Sequence, residues 1–254
     1  MPESAVEVSV RSTLTFEVRE PTQLAVQVAA TGGGQVLTED LVLDGDAVHR
    51  EVAEPGNGWS NRGHHVDAAA GRLVIDYSAT IQLPRAVRVE PSPAERLVAL
   101  RQSRYCPSDL IEGFAAHELG HLRGQPDASR QIGAWVNGRL GYELGSSAPG
   151  DTAIDTLLLG SGVCRDYAHL TVMLCRALGV PARFVAVYAP GLSPMDFHAV
   201  AEVAGADGWE IVDATRLAPR GSLVRIATGR DAADTALVTT IDGHAELIES
   251  TVLA

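Results

Sequence analysis

Basic residues, cysteines and long apolar runs are all scarce in this chain of 254 residues. Its 20 Lys+Arg against 32 Asp+Glu give a formal net charge of −12, which opposes binding to nucleic acid or to an anionic membrane surface. Three cysteines, an odd number, argue against a disulfide framework. No stretch has the length of a transmembrane helix, and the first residues lack the basic and apolar regions of a signal peptide. We therefore expect a cytoplasmic protein with neither a nucleic-acid nor a membrane partner.

The first third of the chain has the pattern of a β-sandwich. With 46% hydrophobic residues, the chain can bury a substantial core and is long enough for two domains. Alternating or β-branched runs between turn clusters predict strands at Ala5–Val18, Leu24–Ala30, Val36–Leu43 and Leu73–Leu83. The proline-bounded segment Pro84–Pro93 has no amphipathic pattern and is predicted to be a linker. We therefore predict an antiparallel β-sandwich domain over residues 1–90 and a second domain over residues 91–254.

A glycine-rich stretch in the second domain ends in a cysteine at the start of a predicted helix. The sequence Gly-Ser-Gly-Val-Cys over residues 160–164 is followed by an apolar helical pattern that ends with a glycine cap. Shorter helices are predicted before it, over residues 108–119 and 128–140. The N–H groups and dipole at a helix N-terminus stabilise a thiolate, which is the reactive form of cysteine. Cys164 is therefore a candidate nucleophile, whereas Cys175 on the apolar face of the same helix and Cys106 in a loop are expected to be packing residues.

Beyond this helix the pattern changes to strands. Three runs predict an antiparallel sheet: Arg183–Tyr188, His198–Val203 and Trp209–Asp213. If the last two runs pair as a hairpin, the start of one lies beside the end of the other, so that His198 and Asp213 become neighbours. A helix packed on this sheet can then aim Cys164 at His198. The second domain is therefore predicted to combine a helix with an antiparallel sheet, which makes the whole chain an α+β protein.

Motifs in this part of the chain resemble those of the transglutaminase-like superfamily, a papain-like group of thiol enzymes. They are Gly162-Val163-Cys164-Arg165-Asp166, Leu178-Gly179-Val180-Pro181-Ala182-Arg183, Asp196-Phe197-His198-Ala199 and Trp209-Glu210-Ile211-Val212-Asp213-Ala214-Thr215. The resemblance implies that Cys164 is the nucleophile, His198 the general base and later acid, and Asp213 the orienting carboxylate. It covers the chain from about Ser92 onward, and the strand-rich part before it resembles the accessory sandwich of bacterial members.

A thiolate, an imidazole and a carboxylate can together break an amide bond through a thioester intermediate. Water as the acyl acceptor gives hydrolysis or deamidation, whereas an amine gives transglutaminase-type acyl transfer, and no sequence feature chooses between them. Because many bacterial relatives are regarded as cysteine proteases, the resemblance favours a cysteine peptidase, amidase or deamidase that acts on a protein or peptide substrate without a cofactor. A catalytically inactive binding module is a further alternative, although such members usually lack the cysteine or the histidine. The oxyanion hole is expected to use the Cys164 N–H and one of Tyr105, Trp135 and Tyr142.

A second motif favours a different chemistry. His117-Glu118-Leu119-Gly120-His121 matches the HExxH pattern of zinc proteases, and Asp127 stands where an aspartate third ligand is found. Histidines four residues apart share one face of a helix and can hold one zinc ion, with Glu118 as the base. However, a glycine inside the motif weakens this helix, and a glycine and a proline soon after the motif end it. Since the zinc alternative also leaves the thiol-enzyme motifs unexplained, we expect no metal at His117 and His121.

Overall fold

A computed structural model describes residues 6–53, 61–83, 89–205 and 207–254 of the chain. Its strands are β1 (Val6–Val18), β2 (Thr22–Val26), β3 (Gln35–Asp44), β4 (Ala47–Ala53), β5 (Arg62–Ala68), β6 (Gly71–Leu83), β7 (Gly141–Tyr142), β8 (Ser161–Gly162), β9 (Ala182–Tyr188), β10 (Phe197–Gly205), β11 (Gly208–Val212), β12 (Val224–Gly229), β13 (Val238–Asp242) and β14 (Ala245–Leu253). Its α-helices are α1 (Pro93–Val98), α2 (Glu112–Leu119), α3 (Ala128–Arg139), α4 (Ala153–Leu159) and α5 (Cys164–Ala177). The structure thus combines antiparallel sheets with α-helices, which confirms the predicted α+β class. Within the described ranges, no helix has the length and apolar character to cross a membrane.

The N-terminal strands lie in two four-stranded antiparallel sheets, which form the expected sandwich. One sheet has the order β14-β1-β6-β3 and the other β13-β2-β5-β4. In β6, every second residue from Leu73 to Leu83 is buried and the residues between them are partly or fully exposed. This alternation is typical of a strand with one face on a core. Phe16, Leu24 and Tyr77 are each 2% exposed or less and belong to the core of the sandwich.

The sandwich is completed by the end of the chain. β14 pairs with β1 from Arg11 opposite Leu253 to Val18 opposite Ala245, and β13 pairs with β2. The structure therefore differs from the predicted division at residue 90, because the last two strands belong to the sandwich and not with the helices. Strand pairing is made by backbone hydrogen bonds, so the side chains of an edge strand carry little information about which strand it will join.

The segment predicted to be a linker is only partly described. Residues 84–88 of Pro84–Pro93 lie outside the described residues, and Pro93 is the first residue of α1. Ser92 caps this helix, since its hydroxyl accepts the Glu95 N–H at 3.2 Å while the Glu95 carboxylate accepts the Ser92 N–H at 2.8 Å. The helical part of the protein therefore begins inside the predicted linker.

α5 is the central element of this part and packs against the sheet β11-β10-β9-β12. Every residue from Asp166 to Ala177 is buried. A helix buried along this length must be enclosed on all sides, and α2, α3 and α4 cover the sides that the sheet does not reach. The helix is followed by Gly179 at φ 80°, a left-handed conformation that glycine adopts without strain, so the predicted glycine cap is confirmed.

A buried tyrosine joins this sheet to the sandwich. The Tyr188 hydroxyl at the end of β9 donates to the Val28 carbonyl oxygen at 2.7 Å and lies 2.9 Å from the Ser12 hydroxyl. Its ring stacks on that of Tyr77, with the centroids 6.3 Å apart. Ile226 of β12 is buried in the same cluster as the sandwich side chains. The sheet beneath α5 and the sandwich thus share one apolar core.

Removal of the Tyr188 hydroxyl should destabilise the protein. Tyr188→Phe keeps the ring but takes a donor from the buried Val28 carbonyl, which costs about 1–3 kcal/mol in the free energy of unfolding. Urea unfolding followed by circular dichroism measures the change. Tyr105→Phe is the matched control, because among the described residues the Tyr105 hydroxyl has no hydrogen-bond partner; equal losses in the two variants would contradict the expectation.

Candidate active site

Cys164 is the first residue of α5, where the sequence predicts a reactive thiol. Gly162 allows the Asp166 side chain to fold back over the loop, because a Cβ at position 162 would lie 2.7 Å from the Asp166 Cβ. In this position Asp166 Oδ2 accepts the Val163 N–H at 2.8 Å and caps the helix. The Cys164 side chain is partly exposed, whereas the other two cysteines are buried. Cys164 is therefore the cysteine that combines access with a helix N-terminus.

Asp166 anchors the loop that precedes the nucleophile. Its side chain is 0% exposed, and Oδ1 accepts a hydrogen bond from Arg165 at 2.9 Å. The Ser147 hydroxyl donates to Oδ2 at 2.5 Å, and Arg165 also donates to the Ala148 carbonyl oxygen at 2.9 Å. A buried charge is tolerated when it is paired and hydrogen-bonded in this way. The contacts tie residues 147 and 148 to the Cys164 loop.

Antiparallel pairing of β10 and β11 brings His198 to Asp213. Ala201 is opposite Val212 in the register, so Asp213, which directly follows β11, lies beside the beginning of β10. His198 Nε2 is 3.3 Å from Asp213 Oδ2, and neither side chain is more than 1% exposed. Because Nε2 faces the carboxylate, Nδ1 is the ring nitrogen left for the thiol of Cys164.

Further donors hold the Asp213 carboxylate in place. Thr215 donates its backbone N–H to Oδ1 at 3.0 Å and its hydroxyl to the same oxygen at 2.6 Å, and the Ala218 N–H is 3.4 Å from Oδ2. Burial raises the pKa of Asp213, but hydrogen bonds with His198 and Thr215 and the charge of the imidazolium bring it below its usual range. These contacts favour the ionised carboxylate, which is placed where it could orient the imidazole.

The surroundings of His198 raise its pKa. Burial lowers the pKa of His198, but hydrogen bonding to Asp213 and Cys164 and the negative charges of both groups raise it, with a net value of about 9. An imidazolium beside a thiol stabilises the thiolate and can later protonate a leaving group. His198 is therefore placed where it could act as a proton donor beside the sulfur of Cys164.

A short parallel pairing of β7 and β8 brings Tyr142 to the nucleophile. Tyr142 is opposite Gly162 in the register, and the Glu143 N–H donates to the Gly162 carbonyl oxygen at 3.1 Å. Burial and the charge of Cys164 raise the pKa of Tyr142, while a hydrogen bond from the Cys164 backbone N–H lowers it. Because Tyr142 lies opposite Gly162, two residues before Cys164, its hydroxyl and the Cys164 N–H are candidate donors to an oxyanion at the sulfur.

The other two aromatic candidates for the oxyanion hole have different partners. Tyr105 stacks on His169 with the ring centroids 5.2 Å apart, and Trp135 meets Phe114 edge-on at 6.1 Å. His169, on α5, is itself buried, and its Nε2 accepts the Ala232 N–H at 3.1 Å. Burial lowers the pKa of His169 to about 3, so this histidine stays neutral in the core. Tyr142 is therefore the oxyanion candidate beside the nucleophile.

The HExxH match does not form a metal-binding helix. α2 ends between the two histidines and gives way to a 3₁₀ turn, so His117 and His121 do not lie on successive turns of one α-helix. Both histidines are exposed, and Asp127, the candidate third ligand, accepts a hydrogen bond from Arg130 at 2.9 Å. In the part of the chain that the structure describes, no three His, Cys, Asp or Glu side chains are arranged to hold a metal ion.

Comparison with known proteins identifies the family. A model of the transglutaminase-like superfamily matches residues 115–214. The crystal structure of a protein from Cytophaga hutchinsonii, named "Putative Cysteine Protease", is similar to this chain, with 32% sequence identity and a TM-score of 0.89. The match covers 99% of this chain and 90% of that chain. The chain belongs to the transglutaminase-like superfamily, as its motifs predict, and hence to a group of thiol enzymes.

Two other relatives are more distant or shorter in their match. The periplasmic domain of TgpA from Pseudomonas aeruginosa is 21% identical over 85% of this chain and 92% of that chain, with a TM-score of 0.46. An uncharacterised protein of Mycobacterium leprae is 37% identical over 54 residues, and this match spans 21% of the chain and 19% of the relative's length. The cytoplasmic location expected from the sequence stays a prediction.

Cys164 should react with iodoacetamide faster than the other two cysteines at pH 7. Burial raises the pKa of the Cys106 and Cys175 thiols to about 12, so they are neither accessible nor ionised. Mass spectrometry of peptides from partially alkylated protein measures the order of labelling. Cys164→Ser is the control and should take up no label in the same time, whereas first labelling at Cys175 would show that the helix start does not activate Cys164.

Proposed function

We propose that the protein hydrolyses amide bonds of a protein or peptide substrate through a thioester on Cys164. The observation that carries this proposal is the buried pair of His198 and Asp213, 3.3 Å apart, beside a thiol at the start of α5. A single cysteine, histidine or aspartate has many structural uses. Together in this arrangement they supply a nucleophile, a proton donor and an orienting group at one point. Cysteine peptidase, amidase or deamidase activity is the function that this site supports best.

Acylation begins with the attack of the Cys164 sulfur on the carbonyl carbon of the amide. The carbonyl double bond becomes a single bond to an oxyanion, which accepts hydrogen bonds from the Cys164 N–H and the Tyr142 hydroxyl. When the C–N bond breaks, the His198 imidazolium gives its proton to the leaving nitrogen. The products of this step are a thioester, a free amine and a neutral imidazole.

Deacylation uses His198 in the opposite direction. The neutral imidazole takes one proton from water while the water oxygen attacks the carbonyl carbon of the thioester. The C–S bond then breaks, the carboxylic acid leaves, and the thiolate of Cys164 again faces the imidazolium of His198. A peptide bond as substrate gives cleavage, whereas a side-chain amide gives deamidation with ammonia as the first product.

Water is the acceptor that we favour over an amine. The Cytophaga hutchinsonii relative, at 32% identity, is named for a cysteine protease and not for acyl transfer. The chain itself contains no lysine, so it has no side-chain amine of its own to compete with water for the thioester. Transfer to an amine requires an external acceptor, and a product that carries an added amine would distinguish it from hydrolysis.

His198→Ala should strongly slow acylation by a peptide amide, whereas His117→Ala should leave it unchanged. His198 transfers the proton to the leaving amine, and its loss should slow acylation about 10²–10⁴-fold. His117 is exposed in the HExxH match and has no part in this chemistry. Intact-mass spectrometry of the acyl-enzyme measures the rates, and a thermal melt shows that each variant is folded.

The same comparison tests the zinc alternative. Wild-type acylation by a folded His198→Ala variant would refute the proposed role of this histidine. Loss of activity in His117→Ala, or on addition of a chelator, would instead favour metal-dependent hydrolysis.

The pKa of His198, raised to about 9, should set the alkaline limit of activity. The imidazolium is the form that protonates the leaving amine; it is fully present below its ordinary pKa of about 6.5 and is lost as pH rises through about 9. The value of kcat/KM should therefore fall above this pH. Asp213→Asn removes one cause of the raised pKa, so the fall should begin at a lower pH while a measurable part of the activity remains. Asp109→Asn, at an exposed position, is the control, and an unchanged alkaline limb in Asp213→Asn would contradict the assigned pairing.

A further inference from the structure

A cavity of about 520 Å³ adjoins the proposed catalytic carboxylate, between α3 and the loop that follows β11. Its buried floor is formed by Gly133, Val212, Asp213 and Ala218, and its exposed rim carries Arg130 and Arg216. No step of the proposed reaction uses either arginine. The cavity therefore shares one wall with the active site but has side chains with no assigned role.

The floor depends on a close approach of α3 to β11. A Cβ at position 133 would lie 2.5 Å from Val212 Cγ1, so a larger residue than glycine would push the helix and the strand apart. Arg130 is three residues before Gly133 on the same helix, and the two therefore share a face. Asn137, one turn further on, donates to the Ala214 carbonyl oxygen at 2.7 Å and ties α3 to the loop. The cavity is thus built by specific contacts between ordered elements.

Arg216 has an unusual backbone conformation. Its φ of 59° is the one positive value at a non-glycine residue in the described ranges, and a long side chain is rarely found there. The turn around it is held by hydrogen bonds from the Arg216 N–H to the Asp213 carbonyl oxygen at 3.3 Å and from the Leu217 N–H to the Thr215 hydroxyl at 3.2 Å. Strained residues of this kind cluster at binding and catalytic sites.

Arg216 gives the rim of the cavity an unpaired positive charge. The Asp213 carboxylate on the floor already has polar partners, namely His198 at 3.3 Å and the Thr215 hydroxyl at 2.6 Å. Arg130 is paired with Asp127 at 2.9 Å, while Arg216 has no ion pair among the described residues. The chain as a whole has a net charge of −12, so an unpaired positive charge at the rim of a cavity is unusual in this protein.

We propose that this cavity binds an oxyanion group, a carboxylate or a phosphate, through Arg216 and Arg130. The planar guanidinium matches both groups with two parallel hydrogen bonds. The group belongs either to a small free anion or to an acidic side chain of a peptide substrate that continues past His198. Binding of the anion does not require the proposed hydrolysis, so the two proposals can be tested separately.

The test measures binding in a Cys164→Ala background, where no turnover occurs. In one arm, succinate and inorganic phosphate are titrated calorimetrically. In the other arm, two hexapeptides are titrated that are identical except that one contains a glutamate where the other contains a glutamine. Arg216→Asn removes the charge with a residue that tolerates positive φ, and it should weaken binding of the anionic probe about tenfold, while Arg216→Lys should retain part of the affinity. Arg139→Gln is the matched control, since Arg139 is exposed at the far end of α3, about 13 Å from Arg130.

Each outcome either supports or overturns the site. Loss of succinate or phosphate binding in Arg216→Asn supports the site with a free anion as its ligand. Loss of the preference for the glutamate peptide supports the site with an acidic substrate. Arg130→Gln provides a second variant if the turn at Arg216 does not tolerate change, and it should weaken the same probe. Equal binding of every probe by Arg216→Asn, Arg130→Gln and the Arg139→Gln control, or binding of no probe by the parent protein, would overturn the proposal.

Discussion

Burial of α5 against the sheet β11-β10-β9-β12 is the interaction on which the rest of the structure depends. Every residue of the helix from Asp166 onward is buried, so the helix cannot slide or rotate without exposing apolar surface. Its first residue is Cys164, and β10 beneath it carries His198 near its start. The packing that stabilises the core therefore also sets where the thiol lies relative to the imidazole. In this protein the same hydrophobic contact supports both the fold and the proposed chemistry.

The register of β10 is set by a buried charge cluster four residues from His198. Glu202 is 0% exposed and accepts hydrogen bonds from Arg183 at 2.7 Å and from Arg225 Nε at 2.6 Å. A slip of β10 by one residue would turn this carboxylate to the other face of the sheet and leave it without its two arginines. Since an unpaired buried charge costs several kcal/mol, the cluster disfavours any register but the observed one. The cluster thus holds β10, and His198 with it, in a fixed register against β9 and β12.

Local sequence patterns predicted half of the described strands, the helices α2, α3 and α5, and three residues of the candidate site. The α5 pattern and its glycine cap, the three strands after it, and the hairpin that joins His198 to Asp213 all follow from periodicity and turn residues within about 50 consecutive positions. The patterns were less informative for Tyr142, which was one of three aromatic candidates for the second donor of the oxyanion hole. Its position depends on pairing between β7 and β8, and each of these strands has only two residues. For the HExxH match, the sequence spacing was right but the expected structure was not formed. The α-helix ends at Leu119, and a 3₁₀ turn begins at Gly120, before the second histidine of the motif.

By itself, the sequence determined where α5 begins and ends, that three strands follow it, which cysteine stands at a helix N-terminus, and the order Cys164, His198, Asp213. These properties depend on neighbouring residues, whose capping groups and apolar periods act over a few turns or a few strand positions. Only the tertiary structure decided that β13 and β14 return to the sandwich, that Tyr142 pairs opposite Gly162, and that Arg216 lies at a cavity beside Asp213. The physical reason is that such pairings are chosen by the total surface buried and the total set of backbone hydrogen bonds satisfied, and both are properties of the whole folded chain.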